Sequence, residues 1–304
     1  MSHQLLKNTV CNMKHLYVIG NGFDIFTGLH TSYSDFRNWL KHNYVFVYDA
    51  LVSAYGVQDS EWWNEFEVSL GKLNIKRYVL ENTPHQKSFE EIIKEKESRK
   101  IKNLNLPPFS VQDSPCADRL AGLFDIIHYC LREWIESMAS IVAPKTIHLE
   151  TENSFFINFN YTRTLEILYG ISKEQILHIH GCAYDSEKLV FGHNSHIIED
   201  GNEYDSERVV EVLDGYHKNP YEYIYKYVTF LNGIKDVEHV HIYGLSLSPV
   251  DIDYIDWIYN HTPTDTKWEI SWYSEEDEKR IDEFVLEHSR LDGKIQKMRL
   301  TPIE

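Results

Sequence analysis

A glycine turn close to the start of the chain carries residue types that could bind a nucleotide. Gly20-Asn21-Gly22-Phe23-Asp24 follows directly on the apolar residues 16–19. Glycines at the end of a buried strand let a phosphate approach the backbone, because a Cβ would block that approach or forbid the required φ. The dinucleotide fingerprint has a third glycine where this chain has Ile25. The turn alone therefore leaves two interpretations open, a nucleotide site and a turn that binds nothing.

Polar residues and glycines also follow the later apolar runs. Each of four runs ends in this way: residues 155–159 before Asn160, 176–179 before His180, 189–191 before Gly192 and His193, and 240–243 before Gly244. The carboxyl ends of parallel strands form the edge at which open α/β sheets bind ligands, so we expect these residues to line one edge. Ser246 follows the last of these runs. Ser248, Pro249 and Asp251 come next and predict the start of a helix, with Ser248 as its N-cap.

The composition restricts the classes of function. The chain has 304 residues and a formal net charge of −17, which argues against a large nucleic-acid footprint, because such a surface needs clustered Lys and Arg. The sequence contains no run of 18 apolar residues, so neither a membrane span nor a membrane partner is predicted. Residues 1–14 lack the apolar core of a secretory signal and are predicted to be a flexible tail.

The cysteines and histidines give no metal-binding pattern. Cys11, Cys116, Cys130 and Cys182 include no C-x-x-C pair, which favours free thiols in a reducing cytoplasm over a disulfide framework or a zinc ribbon. His178 and His180 lie two residues apart on a predicted strand and are interpreted as structural or surface histidines. We therefore expect a cytoplasmic protein with no metal.

The elements that must position these residues follow from spacing. After the glycine turn, residues 23–31 are predicted to be a long connection that could form the rim of a pocket. Ser32 and Asp35 have the spacing of a capping box that opens a helix. Residues 44–150 are mostly of helical period and predict a helical insertion, with a solvated charged stretch at 87–102. Residues 44–49 are equally compatible with a strand that carries a ribose-binding acid.

The α/β pattern returns after residue 151. A short helix should follow Asn160 and end at Gly170, the acidic residues 199–214 should form a loop, and a helix should begin at Asn219-Pro220 and end before Gly233. Strands at 268–273 and 296–300 should flank a helix at 275–288. The prediction is an α/β, Rossmann-like, mostly parallel sheet with helices on both faces. Its nucleotide-binding domain comprises residues 15–43 and 151–304, and 44–150 form the helical insertion.

The order of these motifs resembles the AbiH family of bacterial phage abortive-infection proteins. The resemblance rests on Gly20-Asn21-Gly22-Phe23-Asp24, residues 31–36, Phe159-Asn160-Tyr161-Thr162, His180-Gly181, Gly192-His193 and residues 244–247. It covers nearly the whole chain and implies a role in phage defence.

The same motifs are similar to those of sirtuin-like NAD-binding domains. In that group an asparagine at one strand end positions water or ribose and a histidine at the next acts as base, so the resemblance assigns these roles to Asn160 and His180. Phage-defence members hydrolyse NAD, which implies NAD as substrate or ligand. The implied nucleotide contacts are Gly20, Asn21, Gly22, Phe23, Thr162, His193, Gly244, Ser246 and Asp251. This chain departs from the pattern because Phe23-Asp24 follows the glycines, Thr162 replaces an aspartate and the zinc ribbon is missing.

The chemistry of these side chains agrees with that role. Cleavage of a nicotinamide N-glycosidic bond passes through an oxocarbenium-like state and needs a positioned water and a base near neutral pH. Asn160 could orient the water, His180 could act as the base, and Asp24 could stabilise the developing cation or bind a ribose hydroxyl. Structural alternatives remain open, with Asn160 as a helix N-cap and His180 as a hydrogen-bonded histidine at the sheet end.

Three functions are compatible with the sequence. The first is a defence enzyme that hydrolyses NAD or a related nucleotide, and the second is a non-catalytic module that senses a nucleotide or binds a partner. The third is a metal-dependent nuclease that uses Asp24, His180, His193 and Asp251, against which the negative charge and the absence of a carboxylate cluster count. A small nucleotide, a phage-derived trigger and a second copy of the chain, bound through the helical insertion, are the expected partners.

Overall fold

The computed structural model describes residues 13–56, 60–82, 114–138, 144–194 and 204–303. Residues 1–12 of the predicted tail, Cys11 and the charged stretch 87–102 lie outside the described residues. Met13 and Lys14 lie inside them, and the Lys14 backbone N–H donates to the Asn153 carbonyl over 2.8 Å.

The central element is a six-stranded sheet in which every pair of neighbouring strands is parallel. In chain order the strands are β1 His15–Ile19, β2 Ser154–Asn158, β3 Ile176–His178, β4 His239–Tyr243, β5 Lys267–Ser271 and β6 Ile295–Met298. Their spatial order is β3-β2-β1-β4-β5-β6, which is the order of the doubly wound dinucleotide-binding fold. The predicted α/β, Rossmann-like class is confirmed.

The sheet is buried on both faces, as continuous apolar strands require. Alternate residues of β1 divide between two cores: Leu16 and Val18 pack on one face, and Tyr17 and Ile19 pack on the other. The first core includes residues of the helices Pro220–Lys226, Ile252–His261 and Glu275–Glu287, and the second includes residues of Asn21–Thr27 and Thr164–Tyr169.

The helices agree with the predicted pattern in most places. Their bounds are Asn21–Thr27, Tyr33–Asn43, Val45–Tyr55, Ser60–Asn64, Phe66–Leu70, Ile75–Glu81, Pro115–Glu136, Thr164–Tyr169, Tyr204–Asp214, Pro220–Lys226, Val228–Leu231, Ile252–His261 and Glu275–Glu287. Gly170 ends its helix in the left-handed conformation and Asn219 caps its helix, as predicted. The segment that begins at residue 44 is a helix, so its interpretation as a strand is wrong.

Four local predictions are wrong. The connection 23–31 begins as helix Asn21–Thr27, directly after Gly20, because Phe23 and Thr27 are buried one turn apart. Residues 189–194 form no strand beyond one isolated bridge at His193. The acidic residues 204–214 are helical, since Val209 and Leu213 give this stretch a buried face. The helix predicted to begin at Ser248 begins instead at Ile252, after Asp251.

The chain divides into two compact units. The first comprises the described residues within Met1–Ser32, Ile135–Val190 and Asn219–Glu304, and contains the whole sheet. The second comprises those within Tyr33–Trp134 and Phe191–Lys218, and is helical. The sequence analysis placed the helical insertion at residues 44–150. It assigned residues 191–218, which belong to the second unit, to the nucleotide-binding domain.

In the parts of the chain that the structure describes, no helix combines the length and the apolar character needed to cross a bilayer.

Candidate functional site

The glycine turn lies where the strand order reverses, at the carboxyl ends of β1 and β4. There the Gly22 N–H donates to the Gly244 carbonyl over 2.8 Å, and the Gly20 N–H donates to Tyr243 over 2.9 Å. A Cβ on Gly22 would lie 2.9 Å from Gly244 Cα, and a Cβ on Gly20 would lie 2.6 Å from the Gly244 oxygen. The two glycines therefore let the turns after β1 and β4 touch, and the chain's own backbone fills that space.

Asp24 is a fully buried carboxylate behind this turn. Its Oδ2 accepts a 2.5 Å hydrogen bond from Thr162 Oγ1. Its Oδ1 accepts no hydrogen bond from any residue that the structure describes. Burial raises the pKa of Asp24 to about 6, although the side chains of Thr162, Thr164 and Asn160 and the ring of His178 lower it. Asp24 is therefore a carboxyl group that titrates close to neutral pH in the folded chain.

Asn160 connects the ends of β1 and β2. Its Nδ2 donates to the Gly20 carbonyl over 3.1 Å, and its backbone N–H donates to Asn158 Oδ1 over 3.0 Å. The Asn160 side chain also lowers the pKa of Asp24. Asn160 thus joins the glycine turn to the Asp24 cluster, and the predicted N-cap role does not apply, because the next helix begins at Thr164 with Arg163 at its N-cap.

His178 is a site residue that the sequence analysis did not assign. It lies opposite Asn158 in the β2–β3 register, and its Nε2 is 2.9 Å from Glu166 Oε1. Its Nδ1 is 3.4 Å from the Asn160 carbonyl oxygen. Strand alternation could have indicated His178, because Asn158, Asn160 and His178 have the parity of one sheet face.

His180 follows the same strand but lies among aromatic rings. Its ring is 5.0 Å from that of Phe159 and 5.6 Å from that of Tyr254, in edge arrangements. Phe159 and Tyr254 belong to the first core, whereas Asp24 packs with the polar groups behind the glycine turn. His180 is 2% exposed, so it is held by packing at a strand end next to that of Asn160.

The other predicted nucleotide contacts in the first unit differ in accessibility. Phe23 is fully buried in the second core, 5.9 Å from the Tyr169 ring, so its ring is occupied by packing. Asn21 is half-buried, and its Nδ2 donates to the Thr31 carbonyl over 2.8 Å. Ser246 is exposed and Asp251 is half-buried, both in the segment between β4 and its helix. This segment is the accessible part of the predicted binding set.

His193 belongs to the second unit. It is fully buried, its Nε2 lies 3.1 Å from the Leu213 carbonyl oxygen, and its own carbonyl accepts from the Lys218 N–H. Lys218 is buried as well, and its Nζ donates to Glu67 Oε2 over 2.8 Å. Glu67 also accepts a short hydrogen bond from the Tyr33 hydroxyl. The sequence analysis did not foresee this ion pair, because 151 positions separate its members.

Among the described residues, no three His, Cys, Asp or Glu are arranged to hold a metal ion. A buried polar cluster in the first unit is formed by Asp24, Thr162 and Asn160. It contains a carboxylate, a hydroxyl group and an amide, which are chemically suited to hydroxyl groups or to a developing cation.

The comparison with protein families gives one match, which covers most of the chain. A family model described as "Bacteriophage abortive infection AbiH" matches residues 16–272. The match spans all of the sheet except β6 and the first residue of β1, and it includes every predicted site residue. No curated protein matches the chain.

Proposed function

Because the chain belongs to the AbiH family of bacteriophage abortive-infection proteins, we propose that it carries out this defence by hydrolysing NAD. The substrate class, the reaction and the residue roles are the proposal; the role in abortive infection follows from the family. The reaction would deprive an infected cell of its main redox cofactor.

The observation that carries the proposal is the state of Asp24. A buried carboxylate with an oxygen that lacks a described donor costs stability, and its pKa of about 6 reflects that cost. Such a group is useful where a positive charge develops, because a carboxylate in a dry site stabilises a cation far more than it would in water. The oxocarbenium-like ribose formed on loss of nicotinamide is a cation of this kind.

In the proposed reaction a water oxygen attacks C1′ of the nicotinamide ribose. The C1′–N1 bond breaks, nicotinamide leaves as a neutral molecule with the bonding electron pair, and the water gives its proton to His180. Asn160 orients the water through its amide, and Asp24 faces the ribose cation. The products are ADP-ribose, nicotinamide and one proton.

Ligand contacts beyond the reacting centre are proposed from the exposed edge. Asn21, Ser246 and Asp251 lie on the two segments that follow β1 and β4, at the reversal point where doubly wound sheets bind nucleotides. Thr162 holds Asp24, and Gly20, Gly22 and Gly244 set the path of the two turns. Phe23 supports the turn from the core, and His193 supports the second unit.

One observation favours a second function, a module that senses a nucleotide without cleaving it. Asp24, Asn160 and His180 are each at most 6% exposed, so the three proposed reacting groups are closed to solvent in this structure. A sensing module would bind nucleotide at the exposed residues and leave it intact.

Following nicotinamide release separates the two functions. Purified protein is incubated with NAD, with and without lysate from phage-infected cells, and nicotinamide is measured by chromatography. Hydrolysis that is lost in Asn160→Ala and His180→Ala supports the enzyme, with Ser172→Ala, on an exposed turn, as the control. Binding of intact NAD without release under both conditions overturns hydrolysis in favour of sensing.

A further inference from the structure

His178 connects three parts of the first unit through its two ring nitrogens. On one side Nε2 lies 2.9 Å from a carboxylate oxygen of Glu166, on helix Thr164–Tyr169. On the other side Nδ1 lies 3.4 Å from the Asn160 carbonyl oxygen and 3.5 Å from Asn158 Nδ2. The side chains of His178 and Glu166 are each 14% exposed, so the pair is largely withdrawn from solvent.

The donor and acceptor types limit what His178 can do. A carboxylate only accepts hydrogen bonds, so Nε2 carries a proton towards Glu166. Nδ1 can accept from Asn158 when the ring is neutral, or donate to the Asn160 carbonyl when the ring is charged. Only the charged ring donates from both nitrogens, to Glu166 and to the Asn160 carbonyl.

We propose that Glu166 and His178 are a positioning pair for the reaction described under the proposed function, on which this inference rests. The pair holds Asn160 by its carbonyl and presents a positive charge to Asp24. Neither residue contacts the reacting atoms in this assignment. Glu166 fixes the ring, the ring fixes the main chain of Asn160, and the charge keeps the Asp24 carboxylate ionised for the ribose cation.

The electrostatics of the surroundings support this arrangement. His178 lowers the pKa of Asp24 in opposition to the larger effect of burial. The groups that face the pair are Asp24 from helix Asn21–Thr27 and the uncharged Asn158 and Asn160 from the end of β2. Burial raises the pKa of the Tyr184 phenol, and the charge of Asp24 adds to that rise. Asp24 thus has one cationic neighbour, His178, among the groups that shift its pKa.

The pair can be tested without substrate, through the ionisation of Asp24. The stability difference between wild type and Asp24→Asn is measured from pH 4 to 8, and the upper pH at which it levels off, the plateau pH, reports the pKa of Asp24 in the folded chain. The same comparison is made in chains that carry His178→Gln or Glu166→Gln. His288→Gln is the matched control, since His288 Nε2 pairs with Asp256 at 3.0 Å and the His288 side chain is 11% exposed.

The proposal expects the plateau pH to rise by about half a pH unit or more in His178→Gln and Glu166→Gln, and to stay in place in His288→Gln. An unchanged plateau pH in Glu166→Gln, which preserves the shape of the side chain, overturns the proposal, even if His178→Gln does not fold. Where NAD is hydrolysed, kcat should fall about tenfold in both variants with little change in KM. A shifted plateau pH in a protein that never cleaves NAD would refute the hydrolysis and leave the pair supported.

Discussion

Thr162 Oγ1 donates a 2.5 Å hydrogen bond to Asp24 Oδ2, although 138 positions separate the two residues in the chain. Asp24 lies in the helix after β1, and Thr162 lies in the segment after β2. The bond is possible because β1 and β2 are neighbours and parallel, so their carboxyl ends lie side by side. It stabilises a carboxylate that is fully buried in the fold.

Asp24→Asn should stabilise the protein at neutral pH. Between the ordinary aspartate pKa of 3.8 and the raised pKa of about 6, the folded chain holds a proton on Asp24 that the unfolded chain has released, so stability falls as pH rises through this window. The cost is complete above pH 6 and amounts to about 3 kcal/mol, at about 1.4 kcal/mol per pH unit. Urea denaturation at pH 4 and pH 7.5 should show a gain for the variant only at the higher pH. An equal or lower stability at pH 7.5 would contradict the assigned burial cost.

Thr162→Val should have the opposite effect. The substitution keeps the shape of the side chain and removes the hydroxyl that serves the buried carboxylate, at a cost of about 1–3 kcal/mol. Thr162→Ser keeps the donor and serves as the control. Melting temperatures at pH 7.5 should place Thr162→Val well below Thr162→Ser, and equal values would show that the hydrogen bond contributes nothing.

Gly244→Ala should disrupt the first unit, whereas Gly170→Ala should not. Both glycines have φ in the left-handed region, at 69° and 63°, which costs an alanine about 1 kcal/mol. A Cβ on Gly244 would in addition lie 2.0 Å from the Phe23 nitrogen, while one on Gly170 meets nothing within 4 Å. Circular dichroism and urea denaturation of both variants test the contact. Similar stabilities would mean that the turns after β1 and β4 do not touch.

Lys218→Met should destabilise the second unit by about 3–5 kcal/mol, because it leaves the Glu67 carboxylate buried without its cation. Adding Glu67→Gln should recover much of that loss. Lys72→Met is the control, since its ion pair with Glu65 is exposed and contributes less than about 1 kcal/mol. A double variant no more stable than Lys218→Met alone would refute the account of the ion pair.

The sequence predicted the sheet well because the strands carry their own signal. The predicted strands located five of the six observed strands to within two residues, and the run that predicts β3 extends past the end of that strand at His178. The run at 189–194 was misleading, since it has the composition of a strand but no neighbour to pair with apart from one bridge. The acidic helix Tyr204–Asp214 was not predicted, because its many charged residues indicated a loop. Val209 and Leu213 nevertheless form a buried face on this helix.

The site was only partly predictable for a related reason. Asp24 and Asn160 were found because they follow glycine or strand motifs, and the structure brings them together. His178 and Glu166 were not found, since their pairing depends on the β2–β3 register and on the turn of the following helix. The role of Gly244 as the partner of Gly22 depends on which strand lies beside β1, which local spacing does not encode.

The most direct test of the account measures NAD in bacteria that express the protein during phage infection. Cells with the wild-type chain are compared with cells that carry Asp24→Asn, a variant expected to be at least as stable at neutral pH, so that a loss of function cannot come from unfolding. The account predicts that NAD falls and nicotinamide and ADP-ribose accumulate after infection with the wild type, and that NAD is preserved with Asp24→Asn. Phage protection by the wild type with no change in NAD, or equal NAD loss in the variant, would contradict it.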